Sequence, residues 1–219
     1  MRGGPLVGAI LLLLGPARSW GESTSSGKYA SSLGRLGTRE KALASRANAY
    51  FKNLDTLRSD FWQSSGSAAV DSRGTLEIAR PGRLRLEYLS SPRSLFISNG
   101  GTMSYYDVEL DEVSILPSSR IPLVFLLARG KGLDSMDSDI LEVVCSGSDC
   151  RIITETRAEE VSYLIEYTFD KNIENLLEIA ITPDGEERIG LRLVNSEINP
   201  KIDEKDFIFR NPRIYKNRK

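Results

Sequence analysis

The chain of 219 residues contains no histidine and only two cysteines. Without histidine it lacks the side chain that most often moves protons near neutral pH. Two thiols alone cannot complete a tetrahedral zinc site, so no metal site and no cofactor are expected. A Gly-x-Ser-x-Gly nucleophile elbow is also missing, which removes the usual signature of an exposed serine nucleophile. Glu159–Glu160 and Glu186–Glu187 are isolated acidic pairs in turn-like stretches, where solvated surface charge is the ordinary reading. The chain is therefore not expected to be an enzyme. It has no excess of positive charge either, with 29 Lys and Arg against 30 Asp and Glu. A nucleic-acid-binding protein would carry a strongly basic face, so nucleic acid is not an expected partner.

Long hydrophobic runs are scarce too. Pro5 to Leu14 is apolar over ten residues, about half of the ~20 needed to span a bilayer. Arg2 precedes it and Ala17-Arg18-Ser19 follows, the pattern of a secretory signal cleaved after Ser19. Residues 1–19 are accordingly assigned as a signal peptide. No cysteine follows the run to accept a lipid anchor, and the exported chain is expected to be soluble in the periplasm. Losing Arg2 and Arg18 would leave 27 basic residues against 30 acidic ones.

The two cysteines lie close together in Cys145-Ser-Gly-Ser-Asp-Cys150, between two strand-like stretches. Gly147 and Asp149 favour a turn, so the thiols should face each other across a hairpin and form a structural disulfide in an exported protein. Closing so small a loop contributes on the order of 2 kcal/mol. A redox-active pair is disfavoured because the Cys-x-x-Cys spacing is absent.

Residues 20–37 are rich in Ser and Gly and read as a flexible leader. From Thr38, a plausible N-cap, Leu43, Ala47, Tyr50, Leu54 and Leu57 recur at three- and four-residue steps, which predicts an amphipathic helix. Almost everything after Phe61 reads as strand. Leu84, Leu86 and Tyr88 alternate with Arg83, Arg85 and Glu87, the pattern of a sheet with one dry face. Leu95/Ile97 and Met103/Tyr105 flank Ser98-Asn99-Gly100-Gly101, a hairpin signal. Val161, Tyr163, Ile165, Tyr167 and Phe169 share one face of a long strand, and Ile179/Ile181 and Ile189/Leu191/Leu193 continue the alternation around Pro183-Asp184-Gly185. Many one-sided strands joined by tight turns describe a large curved antiparallel sheet or barrel. Pro122 to Ala128 breaks the alternation. With Pro at its start and Gly130 after its end, it reads as a short apolar helix that covers the mouth of the sheet, a buried edge strand being the alternative.

The helix, the stretch from Gly74-Thr-Leu to Arg80-Pro81, and the Ser98 hairpin followed by Tyr105-Tyr106-Asp107 occur here in order. They are followed by the Pro122-Leu-x-x-Leu-Leu run and the Phe207-Ile-Phe-Arg-Asn-Pro212 ending. In that order and spacing the chain, from Ala42 onward, resembles the LolA-type outer-membrane lipoprotein carrier family. The resemblance implies a mainly β domain over residues 38–219, an incomplete antiparallel barrel closed by a helical lid. It implies a periplasmic chaperone that takes acylated lipoproteins from an inner-membrane ABC transporter and delivers them to an outer-membrane acceptor. It also places on Arg80 the role of contacting the lid and holding the closed state. The Cys145–Cys150 hairpin is a departure from the family's general pattern.

Such a carrier needs an apolar wall, because each exposed methylene of an acyl chain costs about 0.8 kcal/mol in water. The candidates for that wall are Leu84, Leu86, Tyr88, Ile97 and Tyr105, with Leu126 and Leu127 from the covering segment. A monomer is expected. The competing expectation is a carrier or sensor of another lipid or of a hydrophobic peptide on the same fold.

Overall fold

The computed structural model describes residues 32–66, 68–117, 124–135, 138–158, 161–184 and 186–212. The expected signal (1–19), most of the expected leader, Pro122, the Glu159–Glu160 pair and Gly185 of the expected turn lie outside these residues.

Helix α1 spans Thr38–Lys52. Its N-cap is Gly37 rather than Thr38. The Glu40 carboxylate accepts the Gly37 N–H at 2.7 Å, satisfying one of the orphan donors at the helix start. The helix is also shorter than the periodicity predicts. Leu54 lies past its end and Leu57 belongs to the first strand. The buried helical positions are Ala44, Ala47 and Phe51. Residues 32–35, expected to be part of the leader, form a helical turn, and Leu33 and Leu36 pack on the core.

Eleven strands follow. The first six are β1 (Thr56–Ser65), β2 (Ala68–Ala79), β3 (Arg83–Tyr88), β4 (Ser94–Asn99), β5 (Thr102–Asp107) and β6 (Glu112–Pro117). The second set is β7 (Ser138–Ser146), β8 (Asp149–Ala158), β9 (Val161–Asp170), β10 (Leu176–Pro183) and β11 (Ile189–Ile198). They make one antiparallel sheet in the order β6-β5-β4-β3-β2-β1-β11-β10-β9-β8-β7. Two meanders are thus joined by pairing of the first strand with the last. No ladder joins β6 to β7 among the described residues, so the sheet is an open one, as an incomplete barrel requires.

The connection from β6 to β7 does not simply pass along the edge. Its residues Leu126, Leu127 and Leu133 share one apolar cluster with α1 and with the inward side chains of the sheet. Of the helix expected over 122–128, the described residues Val124–Leu127 form a single turn of 3-10 helix, and these four are not an edge strand. A second 3-10 turn covers Leu133–Ser135. On the opposite face of the sheet, the 3-10 turn Glu204–Phe207 packs against β3 and β4 and buries Phe207. The core therefore lies between the inner face of the sheet and α1 with residues 124–135, and the C-terminal segment covers part of the outer face.

Candidate functional site

The register of β1 to β5 orders the inner face into rows, because directly opposed residues of an antiparallel ladder point to the same side. The row nearest the β2–β3 turn is Leu57, Ile78, Leu84, Ser98 and Met103. The next is Ser59, Leu76, Leu86, Phe96 and Tyr105, and the third is Phe61, Gly74, Tyr88, Ser94 and Asp107. Apolar side chains dominate the first row, whereas the third brings polar groups together. Gly74 is needed in that row. A Cβ there would sit 2.7 Å from Phe61 Cζ, where the Phe61 and Tyr88 rings meet edge to face with centroids 5.1 Å apart.

Of the expected wall residues, Leu84, Leu86, Tyr88 and Tyr105 stand on this inner face, and Leu126 and Leu127 are buried against it. Ile97 does not join them. It opposes Arg85 across the β3–β4 ladder and therefore faces outward, where it is 4% exposed. With Leu95 it lines a cleft of about 680 Å³ that also takes in Lys205, Asp206 and Ile208. Leu95, Phe96 and Ile97 are consecutive apolar residues because β4 is covered on both sides, so alternation could not tell inside from outside. Phe96 is the inner residue, stacked on Tyr105 at 4.6 Å. Phe51, Phe61 and Leu133 belong to the same cluster. The signal for β1 was diluted by buried Ser59 and Gln63 at alternate positions.

Tyr88, Tyr105 and Asp107 of the inner face each have a hydrogen-bond partner. Tyr88 donates its hydroxyl to Gln63 Oε1 at 2.5 Å, and burial pushes its phenol far above the usual range. Tyr105 donates to Asp107 Oδ2 at 3.3 Å; burial, then the Asp107 charge, push it up to about 12. Asp107 Oδ1 accepts the N–H groups of Glu109 and Leu110, each at 2.9 Å, which holds the β5–β6 turn.

Arg80 sits at the end of β2, 5% exposed. Its Nε donates to the Leu126 carbonyl at 2.6 Å. Its Nη1 donates to the Phe51 carbonyl at 2.5 Å and, more weakly, to the Lys131 carbonyl at 3.4 Å. One guanidinium thus joins the sheet to the last turn of α1 and to the 124–131 segment. Burial pulls its pKa down to about 10, with Asp55 partly restoring it. The neighbouring Gly82 N–H donates to the Leu127 carbonyl at 2.8 Å. Helix and segment are also tied to each other. Lys52 pairs with Asp134, and Asn48 Oδ1 accepts the Asp134 N–H at 3.1 Å. Gly132 lets the two backbones approach, since a Cβ there would lie 2.8 Å from the Asn48 carbonyl oxygen. Cys145 and Cys150 oppose each other across the β7–β8 hairpin and are disulfide-bonded. Among the described residues, no helix is long and apolar enough to cross a membrane.

Residues 52–210 match the family model described as outer membrane lipoprotein carrier protein LolA. An outer-membrane lipoprotein carrier protein of Pseudoalteromonas translucida is 21% identical over 168 residues, covering 73% of this chain and 79% of its own. An uncharacterised protein of Rickettsia prowazekii is 26% identical over 167 residues, 76% of each chain. Among solved structures, a LolA-superfamily protein from Nitrosomonas europaea is 8% identical with a TM-score of 0.42, covering 78% of this chain and 97% of its own. The Pseudomonas aeruginosa MucA/MucB complex is 12% identical with a TM-score of 0.42, covering 79% and 62%. With the family model spanning most of the chain, from the last residue of α1 past the C-terminal 3-10 turn, the chain belongs to the LolA family of outer-membrane lipoprotein carrier proteins.

Proposed function

We propose that this protein is a periplasmic carrier of acylated lipoproteins, exported by its N-terminal signal, and that the inner face of its sheet shelters the acyl chains. It would take cargo from an inner-membrane ABC transporter and pass it to an outer-membrane acceptor. The observation that carries this reading is an apolar sheet face covered by two segments of the same chain. The inner face is filled by α1 and residues 124–133, and a single buried Arg80 holds both in place. An acyl chain of 16 carbons represents about 12 kcal/mol at ~0.8 kcal/mol per methylene, enough to displace such a cover. When the cargo leaves, the cover returns to the same surface, so the empty state is not an exposed apolar cavity. In this reading α1 and the 124–135 segment act as the lid and Arg80 as its latch.

The test is binding of a fluorescent fatty-acyl probe, expected at one acylated molecule per chain. Leu84→Glu would place a carboxylate on the dry face, where an unpaired charge is costly. Probe binding should fall more than tenfold while the circular-dichroism spectrum stays that of a sheet. Unchanged binding in the folded variant would move the cavity elsewhere. A sterol, or a peptide without an acyl chain, recovered with the purified protein in place of a lipoprotein would favour the other ligand class.

A further inference from the structure

The outer face of the sheet carries an exposed aromatic side chain set between two cations. Trp62 lies on β1 between the inward residues Phe61 and Gln63, so its indole points outward, where it is 45% exposed. The ladders place Arg73 of β2 directly on one side of it and Arg192 of β11 on the other. The Arg73 guanidinium carbon lies 6.0 Å from the indole centroid, at the edge of cation–π range. Three adjacent strands span about 10 Å, so Arg73, Trp62 and Arg192 form a flat band. Leu89 extends it: its N–H donates to the Arg73 carbonyl at 2.9 Å, and its side chain is exposed. On the β11 side, Trp62, Glu178, Arg188 and Arg192 line a cleft of about 520 Å³.

The neighbouring outward arginines of β1 and β3 are paired. Arg58 reaches Glu77 at 2.8 Å and Arg85 reaches Glu87 at 2.5 Å. Arg73 and Arg192 have no carboxylate partner among the described residues. Glu178, which opposes Arg192 in register, is taken by Arg188 at 2.6 Å. Glu166 is shared by Arg188 and Arg151, and Asp60 accepts from Asn195 at 2.9 Å. Among the described residues, then, neither guanidinium beside the indole is taken up by a carboxylate.

We propose that this band docks the protein on a membrane surface that bears anionic phospholipids, with Trp62 at headgroup depth and Arg73 and Arg192 on lipid phosphates. Tryptophan is favoured at the membrane–water interface, where its apolar body and N–H are both satisfied. A guanidinium fork matches a phosphate bidentately. An acidic protein segment would use the two cations but leave the indole and Leu89 facing water, so the lipid surface fits all four side chains better. The chain as a whole is near neutral, at −1. The attraction is therefore local and must fade with salt, since exposed charges are screened beyond about 10 Å at 0.1 M.

The proposal is independent of the inner face and is tested separately from it. Protein purified from cells expressing the full chain is mixed with vesicles of phosphatidylglycerol and phosphatidylethanolamine, or of phosphatidylcholine alone. Binding is followed by co-sedimentation and by Trp62 fluorescence in a Trp20→Phe background. Binding to the anionic vesicles, a blue shift of the indole emission and loss of both in high salt are expected. The double variant Arg73→Gln/Arg192→Gln should bind about thirtyfold more weakly, as expected for two basic residues at an anionic surface, while its binding of a fatty-acyl probe stays at the wild-type level. Leu84→Glu should show the converse. Equal binding of wild type and double variant to anionic vesicles would overturn the proposal. So would wild-type binding to phosphatidylcholine at the same affinity, or binding to polyglutamate but to neither vesicle.

Discussion

Replacing Arg80 by Leu removes a side chain that hydrogen-bonds to both α1 and the 124–131 segment. The wild-type guanidinium makes two short bonds, to the carbonyls of Leu126 and Phe51. Bonds of this charge-assisted kind contribute roughly 1.5–3 kcal/mol each. Against them stands the cost of burying the cation. Nη2 finds no partner among the described residues, and the pKa falls from the ordinary 12.5 to about 10, a penalty of roughly 3 kcal/mol. The balance leaves up to about 3 kcal/mol in favour of the closed arrangement, a factor of up to about 150. Leu keeps the volume of the arm but cannot donate. We expect Arg80→Leu to fold, to accept lipoprotein from inner-membrane vesicles as well as or better than wild type, and to release it more slowly by a factor in that range. Arg80→Lys should fall between, because an ammonium retains charge without the planar fork that serves two carbonyls. The assay loads purified protein with one lipoprotein and follows its transfer to outer-membrane vesicles. Release of cargo from Arg80→Leu at the wild-type rate would refute the latch.

Two further outcomes follow from other parts of the structure. Cys145 and Cys150 should resist thiol labelling in the exported protein without reductant, and replacing both by Ser should lower the stability read from the urea midpoint by about 2 kcal/mol; full labelling without reductant would contradict the bond. At Asp134, burial pushes the pKa up but is outweighed by hydrogen bonds from Lys52, Asn48 and Ser135 together with the Lys52 charge, so the net shift is downward. A carboxylate held below its unfolded value stabilises the fold above about pH 4 and loses that contribution as pH falls through its folded value. Amide exchange at residues 132–135, corrected for its intrinsic pH dependence, should therefore accelerate on acidification below pH 4, and Asp134→Asn should abolish the change; an identical profile in the variant would remove Asp134 from the contact.

Where one face of a strand is dry and the other wet, the sequence shows its direction. β3 alternates Leu84, Leu86 and Tyr88 with charged residues, and β9 alternates Tyr163, Ile165, Tyr167 and Phe169 with outward Leu164, Glu166 and Thr168; all seven inward residues are buried. Where both faces are covered, that information disappears. Ile97 is apolar because the C-terminal segment lies over it, not because it faces the core, and only the register with β3 separates it from Phe96. The end of α1 was hidden for a related reason. Leu54 and Leu57 continue the helical spacing by coincidence, although Leu57 is inward on β1. The Lys52–Asp134 and Asn48–Asp134 contacts join residues more than eighty positions apart, and no local pattern announces them. Arg80 was singled out by family resemblance alone. Composition and spacing do not distinguish it from Arg83 or Arg85, whereas burial does.

The order of the rows on the inner face bears directly on how cargo and latch would interact. The apolar row of Leu57, Ile78, Leu84 and Met103 lies at the Arg80 end of the ladders, and the row with Tyr88, Ser94 and Asp107 lies toward the other end. In the proposed carrier, an acyl tail gains most by reaching the apolar end, which brings it beneath the residues whose carbonyls Arg80 holds. Insertion of the tail and rupture of the Arg80 bonds are then one event rather than two events coupled over a distance. Thermodynamic linkage requires the two effects to be equal. Whatever factor the latch takes from acyl affinity, a bound acyl chain must take from latch closure. The affinity gained by Arg80→Leu for a simple fatty-acyl probe should therefore match the factor by which that probe opens the wild-type latch, measured by amide exchange at residues 124–131. A variant that gains affinity with no corresponding opening in the wild type would mean that Arg80 acts on the cavity by some route other than the cover it holds.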